Sequence, residues 1–293
     1  MKRFLNNLLL FAIINFFIIV IVALIFNYFS SKPIKSIEHI EGYGKDTEVL
    51  VLGSSHALNA VIPNQFDFSV TNMAYNNRLL LNDILIAKKV MPLLPKLKVI
   101  ILPSDYFTLW NNNQTTNFYK KTKTHFNIEY NFLDLLDHPR LCKFNCLETE
   151  NIDNTGYSEK KEDYSILNDS VKDYLVNNRI QSFHSDFLPS NVEETYLKLE
   201  SLLKNFIEFC ENVDMKVLFV EYPVIEALRE NYLDSLNVYN LTKMASANNW
   251  NIINLNDYSF EEGLFNDPDH LNAKGAEKAS KIINSRLHSI INQ

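Results

Sequence analysis

Cysteine is scarce in this chain, with three cysteines among 293 residues. That number is too small for a disulfide-stabilised scaffold, and Cys142 and Cys146 lack the second pair of ligands that a zinc site requires. A disulfide between these two residues is an alternative. Cys210 lies in an apolar stretch of helical pattern, so we expect it to pack in the core. The histidines outside the candidate site have no acidic or cysteine partner at ligand spacing. No metal or other cofactor is therefore expected.

Basic residues are also too few for a surface that binds nucleic acid. Lysine and arginine total 28 against 35 aspartate and glutamate residues, which gives a net charge of −7 at pH 7. Without an excess of positive charge to neutralise phosphates, nucleic acid is not an expected partner. With 46% hydrophobic and 22% charged residues, the composition also excludes a disordered tail, a collagen-like repeat or a low-complexity protein. The length allows one large folded domain or two small ones.

Residues 8–26 form an apolar run that carries no charge and is interrupted by one polar residue, Asn15. A helix of about 20 apolar residues spans the hydrocarbon core of a bilayer. A cleaved signal peptide is the alternative. However, the run is longer than the apolar region of a signal peptide, roughly 7 to 15 residues, and no small-x-small cleavage pattern follows it. We therefore expect an uncleaved membrane anchor.

The charges that flank this run are balanced, with Lys2 and Arg3 before it and Lys32 and Lys35 after it. The positive-inside tendency, together with the free amino terminus, favours a cytoplasmic tail. We therefore expect a single-pass protein of the cell membrane whose C-terminal domain is extracytoplasmic. The expected organisation is a cytoplasmic tip and anchor at residues 1–30, a linker at 31–45 and one domain at 46–293.

Short β-branched runs alternate with helical segments beyond the linker. This alternation predicts an α/β fold, in which a parallel sheet is covered by helices on both faces. The predicted strands are residues 47–52, 68–73, 97–102, 216–221 and 251–255, and two of the predicted helices are residues 79–91 and 193–211. Residues 110–191 are polar, rich in asparagine and irregular, which indicates an insertion between the third and fourth strands. It would emerge at the C-terminal edge of the sheet, either as a lid over a ligand site or as a solvated decoration.

The first predicted strand ends in Gly53, Ser54 and Ser55. A serine at such a strand-to-helix turn projects from the C-terminal edge of the sheet, where a nucleophile would be exposed. A serine hydroxyl attacks a carbonyl at neutral pH only with a histidine partner, and that histidine needs a group that fixes its tautomer. Without these partners the turn would be no more than a helix N-cap. His56 is expected to be a turn residue or a donor behind the site, because the helix carries it away from Ser55.

A second fragment, near the C-terminus, contains a suitable histidine and carboxylate. Asp267 precedes His270 by three residues, on a loop that enters a helix which Asn272 can cap. The carboxylate can turn back to accept the Nδ1 hydrogen of the imidazole and leave Nε2 free to take a proton from a serine. Taken alone, this fragment also fits a capped helix start with His270 at the surface. Its combination with Ser55 favours a catalytic triad.

The two fragments together resemble the SGNH or GDSL hydrolase superfamily, whose first block is Gly-Asp-Ser and whose last block is Asp-x-x-His. The resemblance covers about residues 46–290 and rests on Gly53 and Ser55 in the first block and on Asp267 and His270 in the last. It implies a flavodoxin-like, doubly wound sheet of about five parallel strands. It also implies that Ser55 is the nucleophile, His270 the general base and acid, and Asp267 the orienting carboxylate, with Asp269 as the alternative orienter.

The middle blocks of the superfamily are altered in this chain. A glycine whose amide helps to bind the oxyanion usually follows the asparagine of the second block by five residues. Here Asn72 is followed at that spacing by Asn77, and asparagine tolerates a left-handed φ. In the third block, Asp105 lies where an oxyanion-binding asparagine is expected, and the loss of one such donor costs about 10² to 10³ in rate. The site would rely on the amides of Ser55 and Asn77, keep Asp105 protonated, or bind without turnover.

The end of the third strand, Asp105-Tyr106-Phe107, is similar to that of a membrane-anchored subgroup found with cell-envelope polymer modification. The alginate acetylation proteins and the teichoic-acid D-alanylation protein belong to this subgroup. The resemblance implies an esterase or O-acyltransferase that acts on an acylated glycan or another ester through an acyl-Ser55, with a membrane-bound acyltransferase as a partner. Two alternatives stay open. One is a catalytically weak domain that binds a glycan or a partner enzyme, which Asp105 favours. The other is a lipase or thioesterase, which the polar insertion disfavours.

Overall fold

The computed structural model describes residues 44–76, 78, 80–108, 162–183, 192–230 and 240–292, and the isolated positions 4, 6, 7, 11 and 15. Of the predicted membrane anchor at residues 8–26, only Phe11 and Asn15 belong to this set. Within the set, no helix is long and apolar enough to span a membrane. Asn77, Cys142 and Cys146 lie outside the described residues.

The five predicted strands are present and form one parallel sheet. They are β1 (Val49–Val51), β2 (Val70–Asn72), β3 (Val99–Pro103), β4 (Lys216–Glu221) and β5 (Asn251–Asn254). Their order across the sheet is β2-β1-β3-β4-β5, which is the flavodoxin-like order. The predicted α/β fold with a parallel sheet is therefore confirmed.

The central strands are apolar because they are covered on both faces. All residues of β1 and β3 are buried, as is typical of inner strands of a parallel sheet. Val51, at the end of β1, pairs with Asn72 on one side and with Ile101 on the other. The carboxyl ends of these three strands therefore lie together at one edge of the sheet.

Helices connect the strands and cover the sheet. They are α1 (Ser55–Ala60), α2 (Leu80–Val90), α3 (Asp169–Ser182), α4 (Val192–Glu211), α5 (Leu241–Ala247) and α6 (Ala273–Ile291). The strand order extends in one direction from β1 to β2 and in the other from β3 to β5. Right-handed crossovers therefore place helices on both faces, and α6 returns to pack against α1. The order reverses between β1 and β3, which is where sheets of this order bind ligands.

The prediction of an irregular segment over residues 110–191 is wrong for its C-terminal part, because α3 lies there. This helix has few apolar residues, so it shows little of the helical periodicity that would have predicted it. Asn168 is its N-cap, because the Asn168 side chain accepts the N–H of Val171 at 3.0 Å. The helix is attached to the domain through the buried side chain of Val176 and that of Phe183, the residue after its last turn. By contrast, Cys210 on α4 is buried in the core, as predicted.

Candidate active site

The turn after β1 requires glycine at position 53. Gly53 has a φ of +133°, a conformation that residues with a side chain rarely adopt. A Cβ atom there would lie 3.1 Å from Cβ of Ala57 and 3.1 Å from Cγ of Pro103. The Gly53 N–H donates to the buried carboxylate of Asp83 at 3.2 Å. A side chain at position 53 would therefore be pressed between α1 and the end of β3.

The two serines that follow occupy different positions. Ser54 is the N-cap of α1, because its Oγ accepts the N–H of His56 at 3.3 Å. Its hydroxyl also donates to Asp105 at 3.4 Å. Ser55 is the first residue of α1, and its Oγ lies 2.7 Å from Nε2 of His270. The backbone N–H of Ser55 is among those that a helix leaves unused at its start, so it is available to another acceptor.

His270 is carried by a short hairpin of β6 (Phe265–Asp267) and β7 (His270–Leu271), which follows β5 and was not predicted from the sequence. Oδ1 of Asp267 accepts the backbone N–H groups of Asp269 at 3.1 Å and of His270 at 3.0 Å. Both oxygens of Asp267 lie 2.9 Å from Nδ1 of His270. Nδ1 therefore carries the ring proton, and Nε2 presents its lone pair to the Ser55 hydroxyl.

Asn272 joins this hairpin to α6. Its Oδ1 accepts the N–H of Gly275 at 3.2 Å and so caps the helix, as predicted. Its Nδ2 donates to the carbonyl groups of Gly263 at 2.9 Å and Phe265 at 3.2 Å. Gly275 has no space for a side chain, since a Cβ atom would lie 2.1 Å from the carbonyl oxygen of Leu264. These contacts fix the hairpin, and with it His270, against the first turn of α6.

The structure thus brings together the three residues that the sequence suggests as a triad. Ser55 comes from the end of β1, and Asp267 and His270 come from the hairpin after β5. The order of contacts is hydroxyl to Nε2 and Nδ1 to carboxylate, which is the order that lets a histidine remove the proton of an attacking serine.

Asp269 gives His270 a second neighbouring carboxylate. Its Oδ1 lies 3.3 Å from Nδ1 of His270, whereas the oxygens of Asp267 are at 2.9 Å. Asp267 is therefore the nearer orienting group. Although burial opposes a charge on the ring, Asp269 and Asp267 outweigh it and raise the pKa of His270 above its ordinary value.

His56 lies behind His270, and its surroundings could not be predicted from the sequence. Its ring is buried between two carboxylates: Nδ1 lies 3.3 Å from Oδ1 of Asp105, and Nε2 lies 3.2 Å from Oδ2 of Asp269. It also makes an edge contact with the ring of His270, at 5.1 Å between centroids. Burial opposes a charge on His56, but Asp105 and Asp269 outweigh burial and raise its pKa to about 10. His56 is therefore a buried cation at neutral pH.

Asp105 is engaged inside the protein. Its Oδ2 accepts the Ser54 hydroxyl, and its Oδ1 accepts the N–H of Tyr222 at 3.3 Å and faces His56. The side chain is fully buried, at 0% exposure. An ionised Asp105 at the position of the usual oxyanion-binding asparagine would repel the oxyanion. Because the adjacent His56 cation compensates this charge, the expected repulsion is reduced.

The insertion reaches the site through Arg179 of α3. Its guanidinium lies 2.7 Å from Oδ1 of Asp269 and 4.0 Å from Oδ1 of Asp267. The Tyr106 hydroxyl donates to the same Asp269 at 2.9 Å, and the Tyr106 ring packs on the buried Phe183 at the end of α3. This part of the insertion is thus a wall of the site. The roles predicted for the whole insertion, a lid or a decoration, stay predictions, because residues 110–161 and 184–191 lie outside the described residues.

The same residues offer one possible set of metal ligands. A nitrogen of His56, a nitrogen of His270 and an oxygen of Asp269 lie within 4.8 Å of one another. Both nitrogens of His56 face carboxylates, however, and those of His270 face Asp267 and Ser55. Within the described residues, these donor atoms are thus engaged in hydrogen bonds and ion pairs with one another and with Asp105, Asp267, Ser55 and Arg179.

No protein-family model matches this chain, and no curated protein matches it. Among solved structures, a carbohydrate acetylesterase from Sinorhizobium meliloti aligns over 83% of this chain and 99% of its own, with a TM-score of 0.42 and 11% sequence identity. An aryl esterase from M. smegmatis aligns over 83% and 99%, with a TM-score of 0.41 and 11% identity. A GDSL-like lipase from Bacteroides thetaiotaomicron aligns over 87% and 96%, with a TM-score of 0.39 and 12% identity. Because these TM-scores and sequence identities are low, we infer the function from the geometry of the site.

Proposed function

We propose that this protein is a serine esterase or O-acyltransferase of the SGNH type, which acts through an acyl-Ser55 intermediate. The observation that carries the proposal is the 2.7 Å distance between Oγ of Ser55 and Nε2 of His270, with Nδ1 of the same ring held by Asp267. Ser55 follows β1 beside the point where the strand order reverses. The residues and their place in the fold both support the resemblance that we draw from the sequence.

The proposed reaction has two half-reactions. Ser55 attacks the carbonyl carbon of an acyl ester while its proton passes to Nε2 of His270. The tetrahedral intermediate collapses as His270 gives that proton to the leaving alcohol, and the acyl group stays on Ser55 as an ester. A water molecule or an acceptor hydroxyl then loses its proton to His270 and attacks the acyl-enzyme. The second collapse releases the acid or the new ester and returns the proton to Ser55. Water as acceptor makes the protein an esterase, and a glycan hydroxyl makes it an O-acyltransferase.

The oxyanion would be bound by backbone amides. Ser55 begins α1, so its N–H is available, and the amide of Asn77 is the second donor that the resemblance implies. Asp105 was the feature that favoured a domain that binds without turnover. His56 lies beside Asp105 and reduces the repulsion that its charge would exert on an oxyanion, but the donor of the usual asparagine is still missing, so the reaction would depend on the backbone amides.

We further propose where and on what the enzyme acts. Residues 8–26 would hold it in the cell membrane with its domain outside, and its substrate would be an acylated polysaccharide of the cell envelope. A membrane-bound acyltransferase would be its partner in a transfer reaction. The support is the apolar run and the Asp105-Tyr106-Phe107 strand end. The contact between Tyr106 and Asp269 gives a physical reason for a tyrosine at that strand end.

A fluorophosphonate probe tests the nucleophile, because it modifies only serines that are activated. We expect the full-length chain to gain the mass of one probe and the Ser55→Ala variant to gain none. Ser54→Ala is the neighbouring control: it keeps Ser55 and His270, so it is still labelled, although the loss of the N-cap costs about 1 kcal/mol of stability. Ser289→Ala, at an exposed serine of α6, should label like wild type.

The substrate is tested by following the release of acyl groups. O-acetylated envelope polysaccharide and a phospholipid are offered to the wild type and to Ser55→Ala, with and without a soluble glycan as acceptor. Release from the polysaccharide alone supports the proposal, and transfer to the acceptor identifies an O-acyltransferase. Release from the phospholipid alone would instead identify a lipase. If a folded wild-type protein is neither labelled nor active, the proposed function is wrong.

A further inference from the structure

Four elements meet at the carboxylate of Asp269. Its Oδ2 accepts hydrogen bonds from His56 on α1 at 3.2 Å and from the Tyr106 hydroxyl after β3 at 2.9 Å. Its Oδ1 lies 2.7 Å from the Arg179 guanidinium on α3 and 3.3 Å from Nδ1 of His270 on β7. The Asp269 side chain is only 2% exposed, so these four groups take the place of solvent around it.

His56 joins this carboxylate to a second one. Its other nitrogen faces Asp105, and both side chains are buried, at 1% and 0% exposure. Asp105 also interacts electrostatically with three ionisable groups from the surrounding elements, namely Asp83, Glu221 and Tyr222. A cation enclosed by two buried carboxylates can lose its proton only at a large cost in free energy. The two carboxylates that enclose His56 therefore favour its charged form.

The charges around His270 can be counted from these contacts. Within the described residues, three carboxylates lie in the cluster, Asp105, Asp267 and Asp269, and two cations, His56 and Arg179. The cluster therefore carries one excess negative charge, which attracts a proton to His270. Loss of either cation would leave two excess negative charges. Loss of the Asp269 charge would leave none.

We propose that Asp269, His56 and Arg179 are positioning residues that together set the proton affinity of the general base His270. The inference rests on the proposed function, in which His270 must be neutral to accept the Ser55 proton. Apolar side chains of similar volume usually stabilise a core at least as well as buried ion pairs do. A role in adjusting His270 explains why so many charges are enclosed beside it.

The test is to measure the pKa of His270 directly. Histidine-selectively ¹⁵N-labelled, full-length protein is titrated by NMR, and the His270 signals are assigned by their loss in His270→Gln. We expect His56→Gln to raise the pKa of His270 by about 1 unit or more, and Asp269→Asn to lower it by about as much. Arg179→Gln should raise it by less, because the Arg179 side chain is 36% exposed and partly screened by solvent.

Matched controls separate the loss of a charge from damage to the fold. Arg179→Lys keeps the cation and should give a pKa close to that of wild type. Lys172→Gln removes another cation of α3, one that pairs with Glu262 and does not contact the cluster. His288→Gln removes a histidine that pairs with the exposed Asp67. Neither of these two controls should change the pKa of His270.

The proposal requires that His56→Gln and Arg179→Gln raise the pKa of His270 and that Asp269→Asn lower it. A merely structural role of these residues would not produce opposite signs, so shifts in one direction, or none, would overturn the proposal. If His56→Gln does not fold, Arg179→Gln, Arg179→Lys and Asp269→Asn still decide the outcome. The titration needs neither substrate nor turnover. The titration therefore tests the inference about His270, whereas the fluorophosphonate experiment tests the proposed function, and either can fail without the other.

Discussion

The carboxylate of Asp267 contacts both the backbone and the imidazole ring of His270. Its Oδ1 accepts the His270 backbone N–H at 3.0 Å, and both of its oxygens lie 2.9 Å from Nδ1 of the ring. The same carboxylate thus closes the turn between β6 and β7 and fixes the tautomer in which Nε2 faces Ser55. The Asp267 side chain therefore serves both the fold, by holding the turn, and the chemistry, by orienting the imidazole ring.

Asp267→Asn should retain the turn and lose most of the reactivity. An amide oxygen can still accept the backbone N–H, but the side chain no longer carries the charge that stabilises a protonated His270. We expect the rate of fluorophosphonate labelling to fall by about 10⁴-fold, while the folded structure is kept. Asp67→Asn is the control: it changes an exposed carboxylate that pairs with His288, and it should label at the wild-type rate. A loss of less than about tenfold would mean that Asp269 is the orienting group.

The raised pKa of His270 predicts the pH dependence of the reaction. His270 accepts a proton only when it is neutral, so the rate falls as the pH falls through its pKa in the free enzyme. Burial opposes protonation, but Asp269 and Asp267 raise this pKa above the ordinary value of 6.5. The labelling rate should therefore fall away on the acid side at a pH above 6.5 and be highest in alkaline buffer. A profile that stays flat down to pH 6 would contradict the environment that we describe for His270.

Much of the fold and part of the site could be predicted because the signals are local. The strands are continuous apolar runs, Ser55 follows the first of them directly, and Asp267 and His270 are separated by a spacing that allows a hydrogen bond. The expected cap at Asn272 is also a local pattern. These features depend on residues that are close in the chain, where spacing determines geometry.

The charged cluster behind the triad could not be predicted, because it depends on contacts between distant segments. His56 is next to Ser55 in the sequence, but its role depends on Asp105 and Asp269, which only the folded sheet brings to it. Arg179 belongs to a helix with too few apolar residues to be recognised. The sequence shows Asp105 only as a replacement for the asparagine of the superfamily's third block. It does not show that the His56 ring lies beside this carboxylate. Spacing identifies the reacting groups here, and tertiary packing determines their charge.

The two glycines Gly53 and Gly263 should respond very differently to alanine. Gly53→Ala forces a side chain into a φ of +133° and to within 3.1 Å of both Ala57 and Pro103, so we expect a loss of about 2 kcal/mol in the free energy of unfolding. At Gly263, a Cβ atom would meet only Ser165 at 3.7 Å and Asp163 at 3.9 Å, which is ordinary contact. Urea unfolding of both variants checks this. Equal stability of the two variants would show that the turn after β1 relaxes without cost.

The His56 cation should make the stability of the protein depend on pH above neutrality. Burial opposes its charge, but Asp105 and Asp269 raise its pKa from 6.5 to about 10 in the folded state. Its contribution to stability is therefore fully present below pH 6.5 and is lost as the pH rises towards 10, with a slope of about 1.4 kcal/mol per pH unit. Urea unfolding of wild type and His56→Gln between pH 7 and 9 measures this, because groups outside the cluster around His56, such as the buried Cys210, cancel in the difference. The difference in unfolding free energy should shrink steadily as the pH rises. A difference that stays constant over this range would mean that His56 is neutral in the folded protein.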